Sequence, residues 1–269
     1  MFWLKTLLVT VALCLVNATA VAAPPDAPMT AGTPGRLELT AALAEADYPP
    51  FYYVQDGRLQ GVSIEVLQRL SERLELNISY RRLSWPRVLQ SLKDGQVDLV
   101  TTFSNTAERA PTVVYTGIPH AFENNHLFTL ADSDLQFTGR LEELAAYRIG
   151  AIRGYTYGED FDTADYLLKE SVLDEPTLVR MVMGGRFDAA VGNPFAIERA
   201  IGQGRPRDAL RFLNPPINRS PIYMAFSRRN PAALELAARF TTALVAFKQT
   251  PDYQQLLAKY GLTVSETGE

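Results

Sequence analysis

Short β-branched apolar runs alternate along the chain with stretches of helical period. Leu37–Ala41 alternates apolar and polar positions and predicts a first strand. Pro49 and Pro50 hold Tyr48–Phe51 extended, and Asp56-Gly57 predicts a tight turn. Ile64, Val66, Leu67, Leu70 and Leu74 recur at helical spacing, so 63–75 reads as an amphipathic helix. Asn77–Leu83 is a second strand, Trp85-Pro86 opens a helix carried by Val88, Leu89 and Leu92, and Val97–Val100 is a buried strand. Strand–helix–strand–helix–strand in this order implies a parallel sheet with right-handed crossovers.

Farther along, Tyr115–Pro119 and Leu127–Leu130 predict strands that leave this sheet. Leu141–Ala146 predicts a short helix and Tyr147–Ile152 a buried strand. A Gly-flanked turn, 153–158, leads into a helix; Val179–Met183 continues a helix that stops at Gly184-Gly185. Phe187–Val191 is a strand and Pro194–Ile201 a helix, which makes a second α/β unit. Phe212–Ile222, with three prolines, reads as a return connection into the strand Ile222–Phe226. Pro231–Lys248 and Pro251–Tyr260 are closing helices, the last capped by Gly261.

Candidate chemistry gathers after Val97–Val100. Thr101, Thr102 and Ser104 sit where the strand ends, and Thr106, Glu108 and Arg109 look like the opening turn of a helix capped by Thr106. Open α/β sheets bind ligands at such strand ends, and an arginine there offers a planar fork for a carboxylate. On spacing alone, a surface arginine among ordinary turn residues explains the stretch equally well.

Composition narrows the class. The 269 residues are 47% hydrophobic and 21% charged, enough for one large domain or two smaller lobes. A net charge of -4 with no basic stripe argues against a nucleic-acid partner. Residues 1–22 carry Lys5, the apolar run Leu7–Val16 and Ala20-Val21-Ala22, the makings of a signal peptide, and 23–35 form a Pro/Gly linker. Export to the periplasm follows. Cys14 lies inside the signal segment, so the mature chain has no thiol for disulfides, thiolate metal sites or nucleophiles. The tail 263–269 reads as frayed. His120, Glu123 and His126 fall within seven residues, but their spacing suits neither one helical face nor a zinc pattern. They are expected at the surface or at a hinge, and no cofactor is expected.

Several segments carry a resemblance: Y-P-P-F (48–51), D-G-R-L-Q-G (56–61), G-Q-V-D-L-V (95–100), S-N-T-A-E-R (104–109), R-I-G-A-I-R-G-Y-T (148–156), G-G-R-F-D-A-A-V (184–191) and D-Y-Q-Q-L-L-A-K-Y-G (252–261). Their ordered set resembles the family-3 extracellular solute-binding proteins, the polar amino-acid-type receptors of bacterial ABC importers. The resemblance implies an α/β, two-lobe periplasmic-binding-protein fold (type II), with hinge-linked parallel or mixed sheets and flanking helices. Lobe 1 would comprise 36–118 and 222–269, lobe 2 would comprise 119–221, and the ligand would lie between them. Arg109 matches the arginine that holds the ligand carboxylate, helped by Ser104, Thr102, Thr156 and the Tyr155 backbone. Phe51 and Trp85 match the aromatic pair that sandwiches the ligand side chain, and Tyr48 is a further cleft aromatic. Where amino-acid binders of the family place an Asp for the α-ammonium, this chain has Asn193. Either the ammonium is met elsewhere, by Glu45 or Asp160 for instance, or the ligand is not an α-amino acid.

The implied function is periplasmic binding, by a monomer and without catalysis, of a small carboxylate-bearing, amino-acid-like solute for an ABC permease. Two alternatives share the fold. One is a sensing module for a membrane receptor; the other is a cyclohexadienyl-dehydratase-like enzyme, which needs a carboxylic acid in the cleft.

Overall fold

The computed structural model describes residues 36–202 and 207–262; the expected signal segment, linker and frayed tail lie outside the described residues. Strand β1 (Leu37–Ala44) is followed by a hairpin, β2 (Tyr53–Gln55) and β3 (Arg58–Gln60). Asp56 and Gly57 both take positive φ at its turn, 52° and 72°, the twist that a two-residue hairpin needs. Helix α1 (Val62–Arg73), β4 (Leu76–Leu83), helix α2 (Trp85–Asp94) and β5 (Leu99–Phe103) complete the first unit. Pro86 occupies the first turn of α2 and Gly95 ends it in the left-handed region, so its limits follow from its end residues.

The second unit contains β8 (Arg148–Ile152), α3 (Glu159–Thr163), β9 (Leu168–Val172), α4 (Glu175–Met183), β10 (Ala189–Gly192) and α5 (Pro194–Ile201). Short strands β6 (Val113–Tyr115) and β11 (Leu210–Phe212) pair at the sides of the sheet, and α6 (Ala233–Lys248) and α7 (Pro251–Lys259) return to the first unit.

Two ten-residue strands tie the units together, β7 (Ala121–Leu130) and β12 (Asn218–Ser227). The sheet order is β4-β1-β5-β12-β7-β10-β8-β9. β1 lies parallel between β4 and β5, and β8 lies parallel between β10 and β9. Between these sets β7 and β12 run antiparallel, with Ala121 opposite Ile222 and Asn125 opposite Asn218. The rest of β12 pairs with β5 and β6, the rest of β7 with β10 and β11. Each long strand therefore belongs to both units.

One apolar core fills the first unit, with Leu39, Ile64, Leu67, Phe226 and Phe240 wholly buried. Two others cover opposite faces of the second unit's sheet, around Leu127 and Ile149 on one side and Phe128 and Leu178 on the other. Each such side chain contributes about 1.5–3 kcal/mol on burial. Tyr155 packs against all three cores.

Several expectations change, among them the strand expected at Tyr115–Pro119, where β6 instead ends at Tyr115. The stretch after Thr106 is a run of turns, closed by Arg109 N–H on Thr106 O at 3.1 Å, and no helix forms there. Residues 121–130 form one strand where only 127–130 reads as extended. The last five residues of the expected return connection, Asn218 to Ile222, are already strand β12.

Candidate functional site

The C-terminal ends of β1 and β5 face those of β8 and β10 across a narrow cavity. Strand β5 supplies Thr102, α2 supplies Trp85, and the turns that follow β1 and β5 supply Tyr48, Tyr52, Ser104 and Arg109. The loop after β8 supplies Tyr155, Thr156 and Tyr157, and the long strands add Glu123 and Ile222. Parallel strands whose carboxyl ends converge are the ordinary ligand position in α/β sheets.

Arg109 is held from three sides. Nη1 donates to Ser104 O at 3.2 Å, Nη2 donates to Gly154 O at 2.7 Å, and the guanidinium lies 4.3 Å above the Phe103 ring. Burial lowers its pKa, yet a guanidinium stays charged. It forms no ion pair among the described residues. Two of five N–H groups are used, so the rest of the fork remains for an anion. The Gly154 carbonyl also accepts from Trp85 Nε1 at 3.0 Å, so two side chains of the first unit grip one carbonyl of the second. Gly154 sits at φ +79°, where an L side chain is strained, and an added Cβ would lie 3.0 Å from Leu89 Cδ1.

Opposite in charge is Glu123, buried on β7 and part of the same cavity wall. The Tyr48 hydroxyl donates to its Oε1, and Asn193 Nδ2 donates to the same oxygen at 3.2 Å. Burial pushes its pKa up while the Tyr48, Asn193 and Asn125 side chains pull it back. Glu123 likewise forms no ion pair among the described residues.

A second buried acid lies behind the aromatic wall. Glu175, 3% exposed at the start of α4, accepts from the Tyr155 hydroxyl at 3.1 Å on Oε1. Its Oε2 is buried with no hydrogen-bond partner among the described residues. Burial raises its pKa from 4.5 to about 7. Between those values the folded chain keeps a proton that the unfolded chain has released, so stability falls as pH rises through that window, by on the order of 3 kcal/mol in all. Melting curves at pH 5 and pH 8 should therefore differ less for Glu175→Gln than for the wild type. Equal pH dependence in the two proteins would contradict this.

The other expected site residues divide. Thr102, Ser104, Thr156, Tyr155, Trp85 and Tyr48 come together with Arg109. Thr102 Oγ1 donates to Ser63 Oγ at 3.4 Å, and Ser63 Oγ lies 2.7 Å from His120 Nε2. Phe51 is wholly buried and off the cavity wall; it is Tyr52 that turns its side chain there. The cause is local: Phe51 O accepts from Ser63 N–H at 3.0 Å, which ties Phe51 beneath α1. Glu45 is exposed and lines a separate recess of about 770 Å³ with Asp47, Arg82, Glu175 and Arg199. Asp160 is exposed and also off the wall.

Asn193 is the helix cap of α5. Its Oδ1 accepts from Phe195 N–H at 3.0 Å and its Nδ2 serves Glu123, so its acceptor is already engaged. His120, expected at the surface or at a hinge, is wholly buried directly before β7, and burial lowers its pKa to about 3. Glu123, read from sequence as surface or hinge, is the residue that spacing alone missed. The signal was present: 121, 123, 125 and 127 share one face of a strand, and Ala121 and Leu127 mark that face as buried.

Comparison with known proteins gives the family and the fold. An arginine-binding extracellular protein, ArtP of Bacillus subtilis, is 24% identical over 95% of this chain and 97% of its own. A cyclohexadienyl dehydratase of Pseudomonas aeruginosa is 26% identical over 53% of this chain and 54% of its own. Among solved structures, a histidine kinase sensor domain with similarity to periplasmic binding proteins superimposes with a TM-score of 0.73 at 22% identity, covering 84% of this chain and 96% of that one. It shares the fold. Residues 41–263 match the bacterial extracellular solute-binding proteins, family 3, and the chain belongs to that family.

Proposed function

We propose that this chain binds a small zwitterionic amino acid between the two units of its sheet, in the periplasm, and delivers it to an ABC permease. One observation carries the reading: Arg109 and Glu123 are opposite charges on one cavity wall, and neither is paired within the protein. Arg109 takes the carboxylate through its free N–H groups, with Ser104, Thr102 and Thr156 beside it. Glu123 takes the ammonium that an Asp meets elsewhere in the family, and Asn193 positions it. Burial strengthens both contacts, because charges removed from water attract more strongly. The composition of residues 1–22 supports export.

The units act as lobes, 36–118 with 222–269 and 119–221, that close about β7 and β12. Contacts made only in the closed form would shift the equilibrium toward it. The ion pair of Asp47 with Arg199 of α5 at 2.7 Å joins these two lobes at the rim, and Arg82 of the first lobe holds the other Asp47 oxygen at 2.9 Å.

A second reading, elimination chemistry, rests on the buried acid Glu123 and on the dehydratase relative. Burial pushes the Glu123 pKa up, as a general acid needs, while Tyr48 and Asn193 both donate to the carboxylate and pull it back, as an ammonium site needs. The test is calorimetric titration of the mature chain with α-amino acids and with their α-hydroxy analogues, alongside incubation with arogenate or prephenate. Amino acids should bind, hydroxy acids should bind far more weakly, and no aromatic product should form. Turnover, or binding of neither class, overturns the reading.

A further inference from the structure

The slot between Trp85 and Tyr48 is filled by the protein itself. The Tyr155 ring is nearly perpendicular to both walls, 5.4 Å from Trp85 at 79° and 5.6 Å from Tyr48 at 86°. Its hydroxyl reaches the buried Glu175 at 3.1 Å, and the second Glu175 oxygen has no partner among the described residues. A flat or extended side chain entering between two aromatic walls would end on that carboxylate. Tyr155 already does so with its own ring and hydroxyl.

The loop that carries Tyr155 is fixed from both directions. Tyr155 N–H donates to Ile152 O at 3.1 Å, and the preceding Gly154 carbonyl is gripped by Trp85 and Arg109. The ring packs against all three apolar cores. Turning it out of the slot would break these contacts together and leave Glu175 without its side-chain donor.

We propose that Tyr155 is a built-in surrogate for a ligand side chain, which closes the side-chain subsite and restricts this protein to compact amino acids. The proposal rests on the amino-acid reading above, with Arg109 and Glu123 holding the two charged groups common to every amino acid. What Tyr155 governs is how much ligand can extend beyond them. Removing the ring opens a slot floored by a carboxylate, so the change should favour long cationic side chains in particular.

The experiment titrates glycine, alanine and arginine into the wild type, Tyr155→Ser, Tyr155→Phe, Tyr155→Ser/Glu175→Gln and Arg109→Met, each checked for a cooperative melt. The wild type should prefer alanine or glycine to arginine. Tyr155→Ser should move the arginine-to-alanine affinity ratio toward arginine by about tenfold or more, the scale on which a pocket discriminates by size. Tyr155→Phe keeps the ring and should keep the wild-type ratio, whereas adding Glu175→Gln to Tyr155→Ser should cancel the gain. Arginine binding by Tyr155→Ser and not by the wild type supports the proposal whatever else the wild type takes. A wild type that binds arginine as tightly as alanine overturns it, and so does a folded Tyr155→Ser with an unchanged ratio. Failure of the amino-acid reading shows separately, as alanine binding that Arg109→Met leaves intact; no binding by any of these proteins overturns both.

Discussion

Arg109→Met should weaken amino-acid binding by about 30-fold or more, since loss of one partner of a buried charge pair costs about 2–5 kcal/mol. Methionine keeps much of the aliphatic stem that lies over Phe103 and removes only the fork. Two losses combine. The ligand carboxylate loses its charge-assisted donors, and the tie from Arg109 to the Gly154 carbonyl across the cleft disappears. Arg109→Lys should recover little, because an ammonium is a point charge and cannot make the paired contact. Calorimetry at fixed ionic strength gives the answer; a methionine variant within threefold of the wild type would remove Arg109 from the site.

Glu123→Gln should separate the two ends of the ligand. It preserves shape and leaves an acceptor for Tyr48 and Asn193, but deletes the charge. Alanine should bind on the order of a hundredfold more weakly, within the range for a buried charge pair that loses a partner. Lactate, which carries a hydroxyl where alanine carries an ammonium, should change by only a few fold. The same substitution should raise the melting temperature of the protein without ligand, because it removes a buried, unpaired carboxylate whose pKa is already pushed up by burial. Binding sites often exchange stability for function in this way. Equal losses for alanine and lactate would mean that Glu123 supports the fold around the site and does not meet the ammonium.

Much of this architecture is legible in the chain because burial and periodicity coincide. Helix α1 runs from Val62 to Arg73 against the expected 63–75, with Ile64, Val66, Leu67 and Leu70 turned inward. The strand β8 at Arg148–Ile152 and the cap of α5 by Asn193 follow local rules in the same way. The family resemblance holds across residues 41–263. Legibility fails where polar groups are buried. β7 alternates as a strand should, but its inward face begins Ala121, Glu123, Asn125, and two polar residues in three positions hide the pattern. β9, L-K-E-S-V, buries only Val172 and offers no apolar rhythm. In the Y-P-P-F segment, composition cannot say which aromatic faces the cavity. The tether from Phe51 O to Ser63 N–H decides that, and it is a contact between residues twelve apart.

The position of Glu123 on β7 has a mechanical side. A group close to the axis of a bending motion has almost no lever arm, so its distance to the ligand barely changes as the lobes swing. The grip of Glu123 on an ammonium would thus be nearly the same in the open and closed forms, and a contact of equal strength in both states moves no population. On the proposed reading it would set how tightly the ligand is held. Thr156 and the Gly154-Tyr155 turn stand at the end of β8, across the cleft from Arg109, and their approach is what the proposed closure would change. A permease or receptor that reads shape would therefore be addressed by the β8 loop, while β7 sets only the concentration at which the message begins.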